Sequence, residues 1–338
     1  MTRILYIGNI VSGHGKTPTS VETLGKLLRE EGYDVVSASE KKHKIGRLLD
    51  MLWVTLKRRK RYDIVLIDTY STANFYYAWC VSQLCRLLGK SYIPILHGGN
   101  LEVRLREHPK KSRAIFANAK TMVAPSLFLK EVFSRYGYEK VRYIPNTILL
   151  EHYVFKHRSK LTPKLLWVRA FAHIYHPKMA VQVLHRLRER GHDASLCMVG
   201  PEKDDSSFED TRQLADELGV AVTYTGKLSK EAWISMAAEY DIFINTTNFD
   251  NTPVSVIEAM ALGLLVVSTN VGGIPYLVTH GKDGLLVKPE DPDEMAYAIE
   301  RLLEDSRLSG QLAVDARKKV EGFDWQAVKE QWKALLNS

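Results

Sequence analysis

Residues 245–276, NTTNFDNTPVSVIEAMALGLLVVSTNVGGIPY, hold the densest set of groups able to do chemistry. Thr252 followed by Pro253 predicts a helix start, with Thr as N-cap and Pro at the first helical position. The amides of Val254 and Ser255 then lack acceptors inside the helix. Helped by the helix dipole, they offer a seat for phosphate. Glu258 follows one turn later, among Val256, Ile257, Ala259, Met260, Ala261 and Leu262. A carboxylate on such a helix is costly unless it accepts hydrogen bonds from ribose hydroxyls, an internal Arg or backbone amides. Asp250, in the loop at the helix mouth, can accept from sugar hydroxyls beside the phosphates. A second turn, Asn270-Val271-Gly272-Gly273, follows an apolar run; its paired glycines suit close approach to a ligand as well as an ordinary turn.

The elements that must position these groups alternate. Short apolar runs predict strands over 4–8, 34–37, 64–68, 92–96, 122–124 and 141–144, and again over 164–168, 194–199, 221–225, 242–245, 264–268 and 285–287. Helical patterns lie between them, for example over 20–31, 46–60, 73–88 and 126–135, then 177–190, 208–218, 230–238, 253–262 and 292–303. Strands this apolar, each followed by a helix, indicate α/β architecture with parallel sheets covered on both faces. The length of 338 residues suits about two domains. The polar stretch HYVFKHRSKLTP, 152–163, interrupts the rhythm and sets the expected boundary: an N-terminal domain over 1–155, a C-terminal one over 156–322, and a final helix over 323–338. Two such doubly wound domains would face each other across a cleft, with ligand loops at the strands' carboxyl ends.

Composition narrows the partners. Hydrophobic residues at 45% and charged ones at 25% exclude a disordered or collagen-like chain. Cys80, Cys85 and Cys197 have no metal spacing, which points to a reducing cytoplasm and away from a zinc module or disulfide scaffold. No run reaches the roughly 20 apolar residues of a spanning helix, and the opening apolar run is too short for a signal peptide. The net charge of +8 is lopsided: residues 1–160 carry 28 Lys+Arg against 13 Asp+Glu, leaving 19 against 26 in the rest. Residues 41–61 alone hold nine Lys/Arg against Asp50. Within them Ile45, Leu48, Leu49, Leu52, Trp53 and Leu56 recur at helical spacing. A basic helix with a Trp-bearing apolar face suits an anionic membrane surface; a core-facing helix with a solvated end accounts for it equally.

The pattern D-x7-E-A-M-A-x-G from Asp250 to Gly263, then N-V-G-G-I-P, then G-x-D-G-L-L-V over 281–287, resembles the GT-B-fold retaining glycosyltransferases of family 4. The likeness spans nearly the whole chain and is most specific over 245–287. The family motif has Glu at both ends, where this chain begins with Asp250. The resemblance implies a GT-B fold of two Rossmann-like domains, with a C-terminal helix crossing back to the first. It implies transfer from a nucleoside-diphosphate sugar to an acceptor hydroxyl, with retention and without a metal or other cofactor.

By that resemblance Glu258 binds the nucleotide ribose and Asp250 lies at the donor sugar, with Asn251, Thr252, Pro253 and Val254 contacting sugar and phosphate. Arg169 matches the Arg that offsets the diphosphate charge, although its turn reads WVRAF without the usual Gly. Lys178 is the candidate partner lysine, at a spacing longer than usual. Gly13 and Gly15 correspond to a Gly-rich loop near the donor phosphates, His97 to a histidine lining the sugar site, and Gly226 and Leu228 to a base-contacting loop. A lone His is otherwise a satisfied structural residue. Trp325 and Trp332, in the last helix, are packing residues. A sugar or lipid-linked acceptor in cell-surface polysaccharide or glycolipid synthesis would place the enzyme in the cytoplasm, on the inner face of the membrane when the acceptor is lipid-borne.

Two rivals come from other classes. Gly15-Lys16-Thr17 with Val65-Leu66-Ile67-Asp68 suggests a P-loop NTPase, but Walker A needs Gly where this chain has Ile10. A non-catalytic binder of polyanions or membranes would explain the basic half. No stacking-aromatic motif supports nucleic acid as a partner.

Overall fold

The computed structural model describes residues 2–338 apart from residues 15–17, Gly99, Ser159 and Asp204, and describes the backbone alone of His14. Gly15 and the Lys16-Thr17 pair therefore lie outside the described residues. The chain divides into two compact units, residues 1–145 with 331–338, and residues 146–330.

The first unit alternates β1 (Arg3–Ile7), α1 (Ser20–Glu30), β2 (Asp34–Ala38), α2 (Lys44–Lys57), β3 (Ile64–Thr69), α3 (Asn74–Leu87) and β4 (Ser91–Leu96). It continues through α4 (Leu101–Glu107), α5 (Pro109–Phe116), β5 (Met122–Ala124), α6 (Leu127–Arg135) and β6 (Val141–Tyr143). Its six strands form one parallel sheet in the order β2-β1-β3-β4-β5-β6. All six residues of β3, IVLIDT, are buried, as a central strand covered on both faces requires.

The second unit contains β7 (Lys164–Val168), α7 (Pro177–Glu189), β8 (Ser195–Val199), α8 (Ser207–Glu217), β9 (Val222–Gly226), α9 (Lys230–Ala237) and β10 (Ile242–Asn245). It goes on with α10 (Val254–Ala261), β11 (Leu265–Thr269), α11 (Ile274–Leu277), β12 (Leu285–Val287), α12 (Pro292–Glu304) and α13 (Ser306–Glu321). Helix α14 (Trp325–Leu336) starts in this unit and ends in the first; Trp325 and Trp332 are both buried. The second sheet is also parallel, ordered β12-β11-β10-β7-β8-β9. Alternation along its strands separates two cores: Leu165, Trp167, Ile242, Ile244 and Val267 belong to one, Leu166, Phe243 and Val266 to the other. Both units are Rossmann-like, as expected for a GT-B chain.

The division falls after Pro145, where the sequence suggested residue 155. The polar stretch belongs to the second fold. Tyr153 is buried in a core with Leu166 and Val256. The Arg158 guanidinium, also buried, donates to the carbonyls of Tyr240, Lys156, Leu262 and Ala237. Polar residues satisfied this way read as linker in sequence but act as fold. At the other end the first unit reclaims 331–338, a shorter piece than the expected 323–338.

Candidate functional site

In the second sheet the strand order reverses between β7 and β10, and such switch points place two strand-end loops side by side at the carboxyl edge. Arg169 directly follows β7, and its amide donates to Val199 O at 3.0 Å. The loop leaving β10 is tied to the segment before α7. Asn248 N donates to Ile174 O at 2.8 Å, and the Thr246 hydroxyl donates to Tyr175 O at 2.9 Å. The Arg169 guanidinium lies over the Tyr175 ring, 4.5 Å from its centroid, and forms an ion pair with Asp250. Burial pulls its pKa below the ordinary guanidinium value. Its Nε is buried without a hydrogen-bond partner among the described residues, an exception that calls for an explanation.

Asp250 is engaged within the chain. Asn251 N donates to its Oδ1 at 2.8 Å, and Oδ2 faces Arg169. The carboxylate thus orients the arginine.

The two glycine turns serve backbone packing. Gly273 N donates to Asp250 O at 2.9 Å. A Cβ on Gly272, at φ 53, would overlap that oxygen, and one on Gly273 would overlap Asn251 O. Gly200, after β8, has the same relation to Arg169 O. These glycines therefore hold the Arg169 and Asp250 loops in place, the turn role that the Gly272-Gly273 pair also suited in the sequence. Gly273→Ala is expected to lower unfolding free energy by about 1–3 kcal/mol through overpacking, read as a lower denaturation midpoint at unchanged m-value.

Helix α10 begins one residue later than its sequence suggests. Pro253 is the N-cap, with ψ 118 and no side-chain cap bond, and Val254 is the first helical residue. Proline's fixed φ suits a cap as well as a first turn, so the sequence signal was correct in kind and off by one. The amides of Val254 and Ser255 are unpaired among the described residues, and Ser255 Oγ is buried without a partner. Asn251 is buried beneath, and Thr252 O accepts from Asn146 Nδ2 at 3.4 Å.

Glu258 is 3% exposed. Tyr153 OH donates to its Oε1 at 2.7 Å, and Lys230 Nζ pairs with the same oxygen. Lys230 is the first residue of α9, and its side chain is about half exposed. Burial and the Glu258 charge push the Tyr153 phenol far above its ordinary value, so it stays a donor. A lysine and a tyrosine thus satisfy the buried carboxylate, and its burial does not by itself demand a ligand. Two carboxylate oxygens offer about four acceptor directions, so capacity for hydroxyl donors remains beside the pair on Oε1. Neither Tyr153, inside the supposed linker, nor Lys230, in a surface-like KEAW run, carried a sequence signal. Gly200 did, in the V-G-P that ends a strand.

Lys178 sits in the first turn of α7 and does not contact Arg169 among the described residues. It neighbours His176, whose pKa is lowered by burial, with Glu290 and Asn248 opposing and Lys178 adding. Gly226 ends β9 at φ 66 and accepts from Gly200 N at 2.9 Å; Leu228 packs against the α10 core. Among the described residues no group of three His, Cys, Asp or Glu could hold a metal ion.

The first unit holds a cluster of its own. His97, buried after β4, places Nε2 2.8 Å from Asp68 Oδ1 and stacks on Tyr70 at 4.8 Å. Tyr6 OH donates to the same oxygen at 2.9 Å. Donation from Nε2 to the Asp68 carboxylate places a ring proton on that nitrogen and, in the neutral ring, leaves Nδ1 as acceptor. Asp68 Oδ2 is buried without a partner among the described residues, and a Cβ on Gly8 would lie 2.6 Å from it. Asp68, read from sequence as a Walker-like aspartate, is instead a partner of His97.

Gly13 lies exposed in open space. Just before it, the amides of Val11 and Ser12 donate to the Glu22 carboxylate, which also closes a capping box on Thr19. An internal carboxylate thus takes the two amides that precede Gly13. Burial alone would raise the Glu22 pKa, but bonds from Ser12, Thr19 and Val11 hold it down at about 2. A depressed carboxylate contributes stability that is complete above its unfolded pKa, near 4.5, and fades as pH falls toward 2. Glu22→Gln should therefore flatten the pH dependence of Tm across that window and leave it unchanged above pH 5.

Residues 151–319 match the family model of glycosyl transferases group 1. The chain is 29% identical over 166 residues to a D-inositol 3-phosphate glycosyltransferase of Corynebacterium efficiens, covering 48% of this chain and 39% of that protein. It is 27% identical over 165 residues to a sulfoquinovosyl transferase of Arabidopsis thaliana, covering 46% and 31%. The matched part therefore spans about two fifths or less of these curated relatives. In fold, it is similar to a sucrose-phosphate synthase of Thermosynechococcus elongatus, with TM-score 0.81 and 17% identity over 100% of this chain and 98% of that one. It is also similar to the Anabaena protein HepE in complex with UDP, with TM-score 0.78 and 17% identity over 99% and 100%. At this identity the structural likeness speaks for the fold alone.

Proposed function

The chain belongs to the glycosyl transferases group 1 family, and from that premise we propose that it moves a sugar from a nucleoside-diphosphate sugar to an acceptor hydroxyl with retention at the anomeric carbon. The observation that carries this reading is the convergence, at one sheet edge, of Arg169 with its orphaned Nε and the unpaired amides that open α10. A cation and free N–H donors at a strand-end switch point are what a pyrophosphate needs.

In this account the ribose hydroxyls donate to Glu258, which Tyr153 and Lys230 hold in place. Charge grows on the diphosphate as the glycosidic bond breaks, and Arg169 and the Val254 and Ser255 amides stabilise it. Asp250 holds the guanidinium in its working orientation, Asn251, Thr252 and Pro253 line the sugar–phosphate side, and Lys178 adds charge from α7. The loop at Gly226 and Leu228 meets the base. The departing phosphate takes the acceptor proton, so no protein nucleophile and no metal are assigned.

UDP-sugars are the first donors to test, because the neighbouring HepE structures were solved with UDP and UDP-glucose. The first unit is the proposed acceptor module, with His97 held by Asp68 at its sugar-facing position. A sugar or lipid-linked sugar in surface polysaccharide or glycolipid synthesis is the proposed acceptor class, which places the enzyme on the cytoplasmic side. A panel of UDP-, GDP- and ADP-sugars, screened by thermal shift and then by nucleoside diphosphate release, tests the reading. Stabilisation by one nucleotide family with sugar-dependent turnover supports it. ATP or GTP cleavage without sugar transfer contradicts it.

A further inference from the structure

Helix α2 buries one face and exposes another that is equally apolar. Met51 and Thr55 are buried, and Leu48, Leu52 and Val54 pack against the first unit's core. Ile45, Leu49, Trp53 and Leu56 point the other way, at 66%, 61%, 58% and 39% exposure. At 3.6 residues per turn these four fall within an arc of roughly 80°. Among the described residues no other helix carries more than two exposed large apolar side chains. Single exposed leucines are ordinary, whereas a contiguous stripe of this kind marks a contact surface.

The charge around the stripe identifies the occupant. Lys41, Lys42 and Lys44 precede it, and Lys57, Arg58, Arg59, Lys60 and Arg61 follow it, all exposed. Lys57 Nζ lies over the Trp53 ring, 5.8 Å from its centroid. Asp50 is the one acid within 41–61. A second copy of this chain would bring two such cationic faces together, which like-charge repulsion opposes. An apolar stripe with a tryptophan and cationic residues at both ends matches a bilayer with anionic headgroups.

We propose that α2 docks flat on an anionic membrane, with Ile45, Leu49, Trp53 and Leu56 entering the headgroup–acyl boundary and the flanking lysines and arginines meeting lipid phosphates. The proposed contact is peripheral; no helix among the described residues is long and apolar enough to cross a membrane. It rests on the first unit alone and stands apart from the donor-site reading. For a lipid-borne acceptor, the contact would raise its local concentration at the enzyme.

The test is sedimentation of the full chain with phosphatidylcholine vesicles, with and without phosphatidylglycerol, at low and physiological salt. Binding is expected only with phosphatidylglycerol, where each basic residue engaged contributes about fivefold in affinity, and it should weaken as salt screens those contacts. Leu49→Glu with Trp53→Glu, both exposed in the fold, should cut vesicle binding at least tenfold. Lys57→Glu with Arg59→Glu should remove most of the salt-sensitive part. UDP affinity, measured on the same variants, should not change, which separates this proposal from the donor site. Equal binding to both vesicle types, no binding, or binding unaffected by Leu49→Glu with Trp53→Glu would overturn it. So would a concentration-dependent dimer that the same pair dissolves, without vesicle binding, since the stripe would then join copies of this chain.

Discussion

Replacing Arg169 by Ala is expected to reduce kcat by about 100- to 1,000-fold while changing donor Kd much less. The guanidinium meets a charge that develops mainly as the leaving group departs, and one preorganised donor to such a charge contributes on that scale. The substitution also strips Asp250 of its counter-charge in a partly buried site, so a stability loss accompanies the kinetic one. Arg169→Lys separates the two effects. It keeps a cation near Asp250 but loses the planar fork and its Nε donor, so stability should recover further than turnover. A full recovery of kcat with Lys would mean that Arg169 acts as a structural counter-ion only. Steady-state kinetics with the best donor, beside chemical unfolding of each variant, decides between them.

Glu258→Ala should weaken nucleotide binding by about 10- to 100-fold, the effect of hydrogen bonds to a charged acceptor at about 1.5–3 kcal/mol each. The loss should be equal for UDP and a UDP-sugar, since both present the same ribose. Because Tyr153 and Lys230 share the carboxylate, a general loss of local order could mimic this result. A mutant cycle with 2′,3′-dideoxy-UDP removes the ambiguity. The wild type should lose affinity for the analogue, and Glu258→Ala should not distinguish it from UDP. Additive losses would place the carboxylate away from the ribose.

Much of this architecture could be read in the residues. Every strand expected from an apolar run exists within about a residue of its place, because a strand covered on both faces must be apolar throughout. Helices α4, α5 and α13 were not among those named. His108-Pro109 breaks the first pair into two short pieces, and Gly310 lowers the helical signal of the third, which runs through it unbroken. The groups around α10 stood out by type and spacing because Glu258 lies among apolar neighbours and Pro253 marks a helix mouth. What the sequence concealed was how these groups are satisfied. Lys230 reaches Glu258 from another helix, Tyr153 from a stretch that reads as linker, and Glu22 folds back on the amides before Gly13. Such partnerships join residues distant along the chain and leave no periodic trace. The glycines show the same limit: composition marks them as permissive, and only the fold reveals that Gly200, Gly272 and Gly273 are pressed against the Arg169, Asp250 and Asn251 carbonyls.

The central claim is that the mouth of α10 and Arg169 together hold the diphosphate of a nucleotide sugar. A crystal structure of the protein with UDP tests it most directly. The account predicts phosphate oxygens within hydrogen-bond distance of the Val254 and Ser255 amides and of Arg169, with the ribose hydroxyls on Glu258. Nucleotide bound elsewhere on the chain, with Arg169 still facing only Asp250 and Glu258 still held only by Lys230 and Tyr153, would contradict it.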